Sequence, residues 1–181
     1  MKLSKKVAGC KKCKLCLKGK NAVPGEGPLD AKIILVGEAP GREEDLTGRP
    51  FIGRSGKLLT KLLEEKAGIG RKKVFITSVV KHRPPGNRKP TAKETKACLP
   101  YLLRQIEIIK PKLIVLLGQT AFSAFFPKLK LKNLRGKFVI LRQAQGKKDG
   151  RKFFITYHPA AGLRSTRAKK ILEKDFKKLN I

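Results

Sequence analysis

Four short apolar runs, rich in β-branched or aromatic residues, recur along the chain at 32–36, 74–78, 113–117 and 153–157. Between them the spacing changes. In Lys57-Leu58-Leu59-Thr60-Lys61-Leu62-Leu63 the apolar residues fall at i, i+1, i+4 and i+5, one face of a helix. Thr91-Ala92-Lys93-Glu94 has the form of a capping box, whose hydroxyl and carboxylate satisfy the first free amides of the following helix. That helix is expected to run toward Ile109, with Pro100 bending it; 119–126 and 168–179 are further helical candidates. Strand and helix in alternation predict an α/β fold of three layers, αβα, around a central, mainly parallel four-stranded sheet. The stretch 137–142 reads as an added strand or hairpin arm, and 143–152 as an exposed turn bracketed by Gly146 and Gly150. With no repeat or long linker in the pattern, residues 1–181 are expected to form a single domain.

Length and composition agree with a folded body: 181 residues, 40% hydrophobic, bury enough surface to fold without staples. The longest apolar runs, such as Ile33-Ile34-Leu35-Val36, suit buried strands and are too short to span a bilayer. The basic start, residues 1–7, leads into cysteines rather than an apolar signal core, so a cytoplasmic protein without membrane association is expected. Charge changes the picture more. With 44 Lys+Arg against 13 Asp+Glu the formal net charge is +31, an excess that repels itself unless a polyanion such as DNA or RNA neutralises it. The competing reading is a Lys-rich surface typical of a heat- or salt-adapted proteome.

Each strand candidate is followed by a loop rich in Gly, Pro or polar residues. These are Gly37-Glu38-Ala39-Pro40-Gly41, Lys81-His82-Arg83-Pro84-Pro85-Gly86-Asn87-Arg88, Gly118-Gln119-Thr120 and His158-Pro159-Ala160-Ala161. In an open parallel sheet ligands bind in the crevice beyond the carboxyl ends of the strands, so the four loops should converge on one site. Together with Val23-Pro24-Gly25-Glu26-Gly27, the run from Glu44 through Arg49-Pro50-Phe51-Ile52-Gly53, and Leu163-Arg164, they resemble in order and spacing the family 4 uracil-DNA glycosylases, the iron–sulfur type. The resemblance covers nearly the whole chain from Cys10 onward.

The resemblance implies an enzyme that flips uracil out of DNA into a pocket and hydrolyses its bond to the sugar, leaving an abasic site. Such chemistry needs a shaped slot, donors aimed at the uracil oxygens and a guided water. Gly37, Ala39 and Gly41 would form the slot, since glycines let backbone amides approach a flat base; alone, such a loop is more often a tight turn. Phe51 matches the family's stacking aromatic, and Glu38, Glu44 and Asn87 match positions that orient water or substrate. Without the resemblance, Glu43-Glu44-Asp45 would read as a solvated acidic turn. His158 matches the donor to uracil O2. Leu163 and Arg164 match the segment that approaches DNA, where an apolar residue fills the gap left by the flipped base. The chain departs from the family at Ser78, where Asn is usual; a hydroxyl has the shorter reach, so weaker or broader uracil recognition is expected.

Cys10, Cys13, Cys16 and Cys98, in a chain without a secretion signal, point to a metal site rather than disulfides. Cys10-Lys11-Lys12-Cys13 serves zinc or an iron–sulfur cluster equally. The resemblance implies a [4Fe–4S] cluster held by Cys10, Cys13 and Cys98, with an N-terminal cluster-binding segment at about residues 1–28. The remaining family position is His82 here, not Cys. His82 ranks first as fourth ligand, since His replaces Cys in some iron–sulfur sites, and Cys16 is the alternative. Zinc stays open as well, because Cys3His is an ordinary zinc set.

Two further functions remain open on sequence. One is a catalytically weak nucleic-acid-binding homologue, favoured by Ser78 and His82 and opposed by His158, Asn87 and the 37–41 loop. The other is a glycosylase broadened toward other deaminated bases such as hypoxanthine. The expected partner is uracil-containing DNA and the expected state a monomer.

Overall fold

In the computed structural model, which describes residues 2–140 and 151–180, the four apolar runs form strands. β1 is Ile33–Gly37, β2 Phe75–Ser78 and β3 Leu113–Leu117; a short β4, Phe138–Ile140, precedes β5, Lys152–Thr156. They make one sheet in the order β2-β1-β3-β5-β4, parallel except for β4, which runs antiparallel to β5. The sheet therefore has five strands where four were expected. The fifth is the arm read at 137–142; it sits at an edge, three residues long, and ends on exposed Ile140, so its apolar signal is weak. Residues 141 and 142, and the part of the expected turn at 143–150, lie outside the described residues.

The helices are α1 (Lys2–Ala8), α2 (Arg42–Thr47), α3 (Arg54–Lys66), α4 (Ala92–Ile109), α5 (Gln119–Phe125), α6 (Leu131–Leu134), α7 (Pro159–Arg164) and α8 (Thr166–Lys177). The capping box closes as read: Thr91 Oγ1 accepts from the Glu94 amide at 3.2 Å, and Glu94 Oε2 accepts from the Thr91 amide at 2.7 Å. α4 continues through Pro100 to Ile109.

Side-chain alternation along the strands divides the core into two layers. Ile34, Val36, Phe75, Ile114, Leu116, Phe153 and Ile155 face Leu102 and Ile106 of α4 and Phe122 of α5. Leu35, Ile76, Val115, Leu117 and Phe154 face α3 and α8, where Leu58, Leu59, Leu62, Leu63, Leu172 and Phe176 are buried. Each such leucine contributes about 1.5–3 kcal/mol relative to exposure, which fixes α3 and α8 on one face and α4 on the other. The chain steps from β1 outward to β2 and then crosses back over β1 to β3, so the strand order switches between β1 and β3. That switch opens the crevice at the carboxyl edge. Among the described residues no helix is long and apolar enough to cross a membrane.

Candidate active site

The crevice is a cavity of about 410 Å³, lined by three of the four loops, those after β1, β2 and β5; the fourth, Gly118-Gln119-Thr120, stands behind the wall and supports it. Glu38, Ala39 and Gly41 come from the β1 loop, Ser78 from the end of β2, Asn87 from the loop beyond it, and His158 and Arg164 from the α7 segment. Phe51 and Glu44 also line it. Of the expected residues, Gly37 and Leu163 do not. Gly37 lies behind the wall: a Cβ there would stand 2.5 Å from the Phe51 ring, so glycine makes room for the aromatic rather than for a ligand. Leu163 is 43% exposed on α7, one residue from Arg164 at the rim.

His158 caps α7, and its Nδ1 accepts a hydrogen bond from the Ala160 amide at 3.1 Å. An accepting Nδ1 puts the proton of the neutral ring on Nε2. Burial, then the Arg164 charge, push its pKa down to about 4 against a weaker pull from Glu44, so the ring is neutral at pH 7. Its ring centroid lies 5.5 Å from that of Phe51. Gly118, at φ 86°, lets β3 pass close behind it, where a Cβ would stand 2.9 Å from His158 Cβ.

The carboxylates divide the labour. Glu44 is 8% exposed; its Oε1 accepts from the amides of Ile52 and Gly53 at 2.8 and 2.9 Å, and its Oε2 from Gly41 at 3.0 Å. It clamps the segment after Phe51 onto the β1 loop. Asp45, 5% exposed, faces the other way and accepts from the Lys20 and Asn21 amides at 2.8 and 3.3 Å. These two residues are thus not a solvated turn but buried acceptors for loop amides. Glu38 accepts through Oε2 from the Thr120 hydroxyl. Asn87, in a left-handed conformation at φ 57°, accepts through Oδ1 from Arg83 Nε at 2.7 Å.

Cys10, Cys13, Cys16, His82 and Cys98 line one narrow gap of about 10 Å³ between the N-terminal segment, the β2 loop and α4. All four cysteines are free thiols. Burial raises the Cys13 thiol and pushes Cys98 up to about 11, so without a cation to neutralise them these groups stay protonated. Among the described residues no three of these donors are placed to hold a single ion. The fit to a metal group is therefore one of donor chemistry: four soft sulfur ligands and an imidazole at one place. Next to it Lys81 is wholly buried, its Nζ donating to Thr77 Oγ1 (2.6 Å), the Ser78 carbonyl (2.7 Å) and Gln105 Oε1 (2.7 Å). Burial lowers its pKa to about 7. It ties the end of β2, at Thr77 and Ser78, to Gln105 of α4, directly beside His82.

Residues 24–180 match the Uracil DNA glycosylase superfamily. Relatives named Type-4 uracil-DNA glycosylase, from Sulfurisphaera tokodaii and Saccharolobus solfataricus, are 49% and 48% identical over 98% of this chain and 82% and 83% of their own lengths. One of the same name from Thermotoga maritima is 47% identical over 97% of the chain and 90% of its length. The chain belongs to the type-4 uracil-DNA glycosylase family.

Within that family the sequence reading missed three supports. Thr120 holds Glu38, Asp45 holds the N-terminal segment, and buried Lys81 joins the crevice to the cysteines. Lys81 follows Val79-Val80 just beyond β2, and a cation directly after two apolar residues was the available signal. Thr120 was placed in a crevice loop, but nothing local marked its pairing with Glu38, 82 residues away in the chain.

Proposed function

We propose that the protein flips uracil out of DNA and hydrolyses its N-glycosidic bond, leaving an abasic site. The observation that carries this reading is His158: a neutral imidazole with Nδ1 committed to the Ala160 amide and an Nε2–H available at a cavity roomy enough for a flipped base. As the bond from the sugar C1′ to uracil N1 breaks, its electron pair leaves with the base. The His158 Nε2–H donates to uracil O2, where the new charge collects. Phe51 stacks on the base. Glu38, held by Thr120, orients the water whose oxygen bonds to C1′ and whose proton is released. Asn87 stands at the mouth to fix substrate or water, while Ala39, Gly41 and Glu44 shape and hold the slot and Gly37 leaves room behind it for the Phe51 ring. The Ser78 hydroxyl meets the polar edge of the base, and exposed Leu163 and Arg164 meet the gap in the duplex and a phosphate.

Cys10, Cys13, Cys98 and His82, with Cys16 as the alternative fourth donor, are the residues that would hold a [4Fe–4S] cluster. Bound there, the cluster supplies structural cross-linking of the N-terminal segment to the body rather than redox chemistry. Iron and acid-labile sulfide in the purified protein test this; zinc without iron would overturn it. A monomer working in the cytoplasm completes the reading.

The deciding experiment follows base release from oligonucleotides carrying uracil, hypoxanthine or no lesion. Uracil release is expected to fall about 10²–10³-fold in kcat in His158→Ala, the usual cost of one transition-state donor. Tight, salt-dependent binding with no release would establish a binding homologue instead. Hypoxanthine release at a comparable rate would establish broadened specificity, the reading Ser78 favours.

A further inference from the structure

Phe51 holds its ring in the pocket from a backbone conformation that an aromatic residue resists: φ is 50°, in the left-handed region. Such a residue costs on the order of 1–3 kcal/mol and persists only where its surroundings over-determine it. Here they do so from both ends. Downstream, the Ile52 and Gly53 amides are taken by Glu44. Upstream, the acceptors are taken by Arg71, which lies outside the pocket, in the short turn Arg71–Lys73 before β2. Its Nη2 donates to the Pro50 carbonyl at 2.7 Å, and its Nη1 to the Phe51 carbonyl at 3.0 Å and to Thr60 Oγ1 at 3.3 Å. Glu26 stands 3.6 Å from Nη2 on its far side. Gly56 completes the seat, since a Cβ there would lie 1.9 Å from the Phe51 carbonyl oxygen.

We propose that Arg71 is the positioning residue for base stacking: its guanidinium fork grips the carbonyls on either side of the Phe51 Cα and holds the ring in the pocket. This rests on the reading of Phe51 as the stacking face. A planar fork with two fixed donors suits two adjacent carbonyls, whereas an ammonium presents a single point of charge. Charge-assisted bonds of this kind are the strong ones, so their loss releases the strained peptide. Arg71 touches neither the leaving base nor the water. Its effect therefore falls on binding of the base and leaves the His158 step alone.

The test combines steady-state uracil excision with the affinity of free uracil measured by ligand-observed NMR, which reads the pocket without turnover. Arg71→Met is expected to raise KM and weaken uracil binding about tenfold or more, with kcat within about twofold. Phe51→Ala should weaken uracil binding at least as much, and the uracil affinity of the double variant should match that of Phe51→Ala alone, because Arg71 acts only through the ring. Arg71→Lys should recover only part of the loss. Additive losses in the double variant would mean general destabilisation and overturn the proposal. So would an unchanged uracil affinity in Arg71→Met while Phe51→Ala loses it. If Phe51→Ala itself leaves uracil affinity intact, the stacking reading falls and the proposal with it. If the wild-type protein binds uracil but excises nothing, only the glycosylase reading fails, and the NMR cycle still decides Arg71.

Discussion

The crevice and the cysteine site are neighbours built in opposite ways. The crevice is fastened from within: its loops leave the ends of buried strands, and their amides and carbonyls end on Glu44 and Arg71. The cysteine site gathers three of its donors from residues 10–16, a stretch whose regular structure is the start of the single turn Lys14–Leu17, with no side-chain cap. Buried Val7, Leu15 and Val23, and the Asp45 bonds to Lys20 and Asn21, are the main ties between that segment and the body. One region is organised by the fold. The other brings three half-buried thiols of the N-terminal segment up to buried Cys98 on α4, a donor set that a bound cationic group would tie together. Consecutive residues of α2 serve both, Glu44 toward the crevice and Asp45 toward the N-terminal segment.

The sharpest way to break that contrast is Glu44→Ala. Removing the carboxylate strands three loop amides at once, so stability should drop about 2–3 kcal/mol and excision should fall with it. Thermal unfolding and KM report the two losses. Unchanged unfolding would mean the crevice loops are held by something other than this clamp. Next in size is Cys98→Ala. This buried thiol anchors the donor set on α4, and its loss should cost about 1–2 kcal/mol. Limited proteolysis should then open the chain within residues 2–20 while the body, residues 33–140, stays protected. Equal protection of both regions would show that the N-terminal segment needs no group to hold it. Smaller again is Ser78→Asn: an amide in place of the hydroxyl should raise the preference for uracil over hypoxanthine several-fold, within the roughly 1–3 kcal/mol that one matched polar contact is worth. An unchanged ratio would remove Ser78 from base selection.

The same contrast separates what could be read in the sequence from what could not. β1, β2, β3 and β5 were legible because both sheet faces are covered, so their apolar runs are nearly unbroken. β4 is a half-buried edge strand, and its three residues carried little signal. Convergence of the loops after β1, β2 and β5 followed from topology; the loop after β3 was expected beside them and instead supports the wall from behind. Glu44 and Asp45 were hidden by composition: acidic residues in a row read as solvated, and only tertiary structure shows that each accepts loop amides. Arg71 was hidden for the same reason in a chain with 44 basic residues, where one forked guanidinium looks like the rest. The positive φ of Phe51 leaves no mark at all in a sequence.

The smallest expected effect is a flat line, and it tests the crevice most closely. Free histidine titrates near 6.5, whereas His158 is depressed to about 4 by burial and by Arg164. The unfolded chain therefore binds this proton more readily than the folded one. The stability that the neutral ring contributes is complete above about 6.5 and is lost as pH falls toward 4. Excision should accordingly show no inflection from His158 between pH 5 and 8, and should decline only as pH approaches 4. There, protonated Nδ1 can no longer accept from Ala160. With only two histidines in the chain, the imidazole resonance missing in His158→Ala identifies the ring, and its NMR titration checks the value directly. An inflection near 6.5 belonging to His158 would mean that the ring works as a cation, and the donor to uracil O2 would have to be redrawn as an imidazolium.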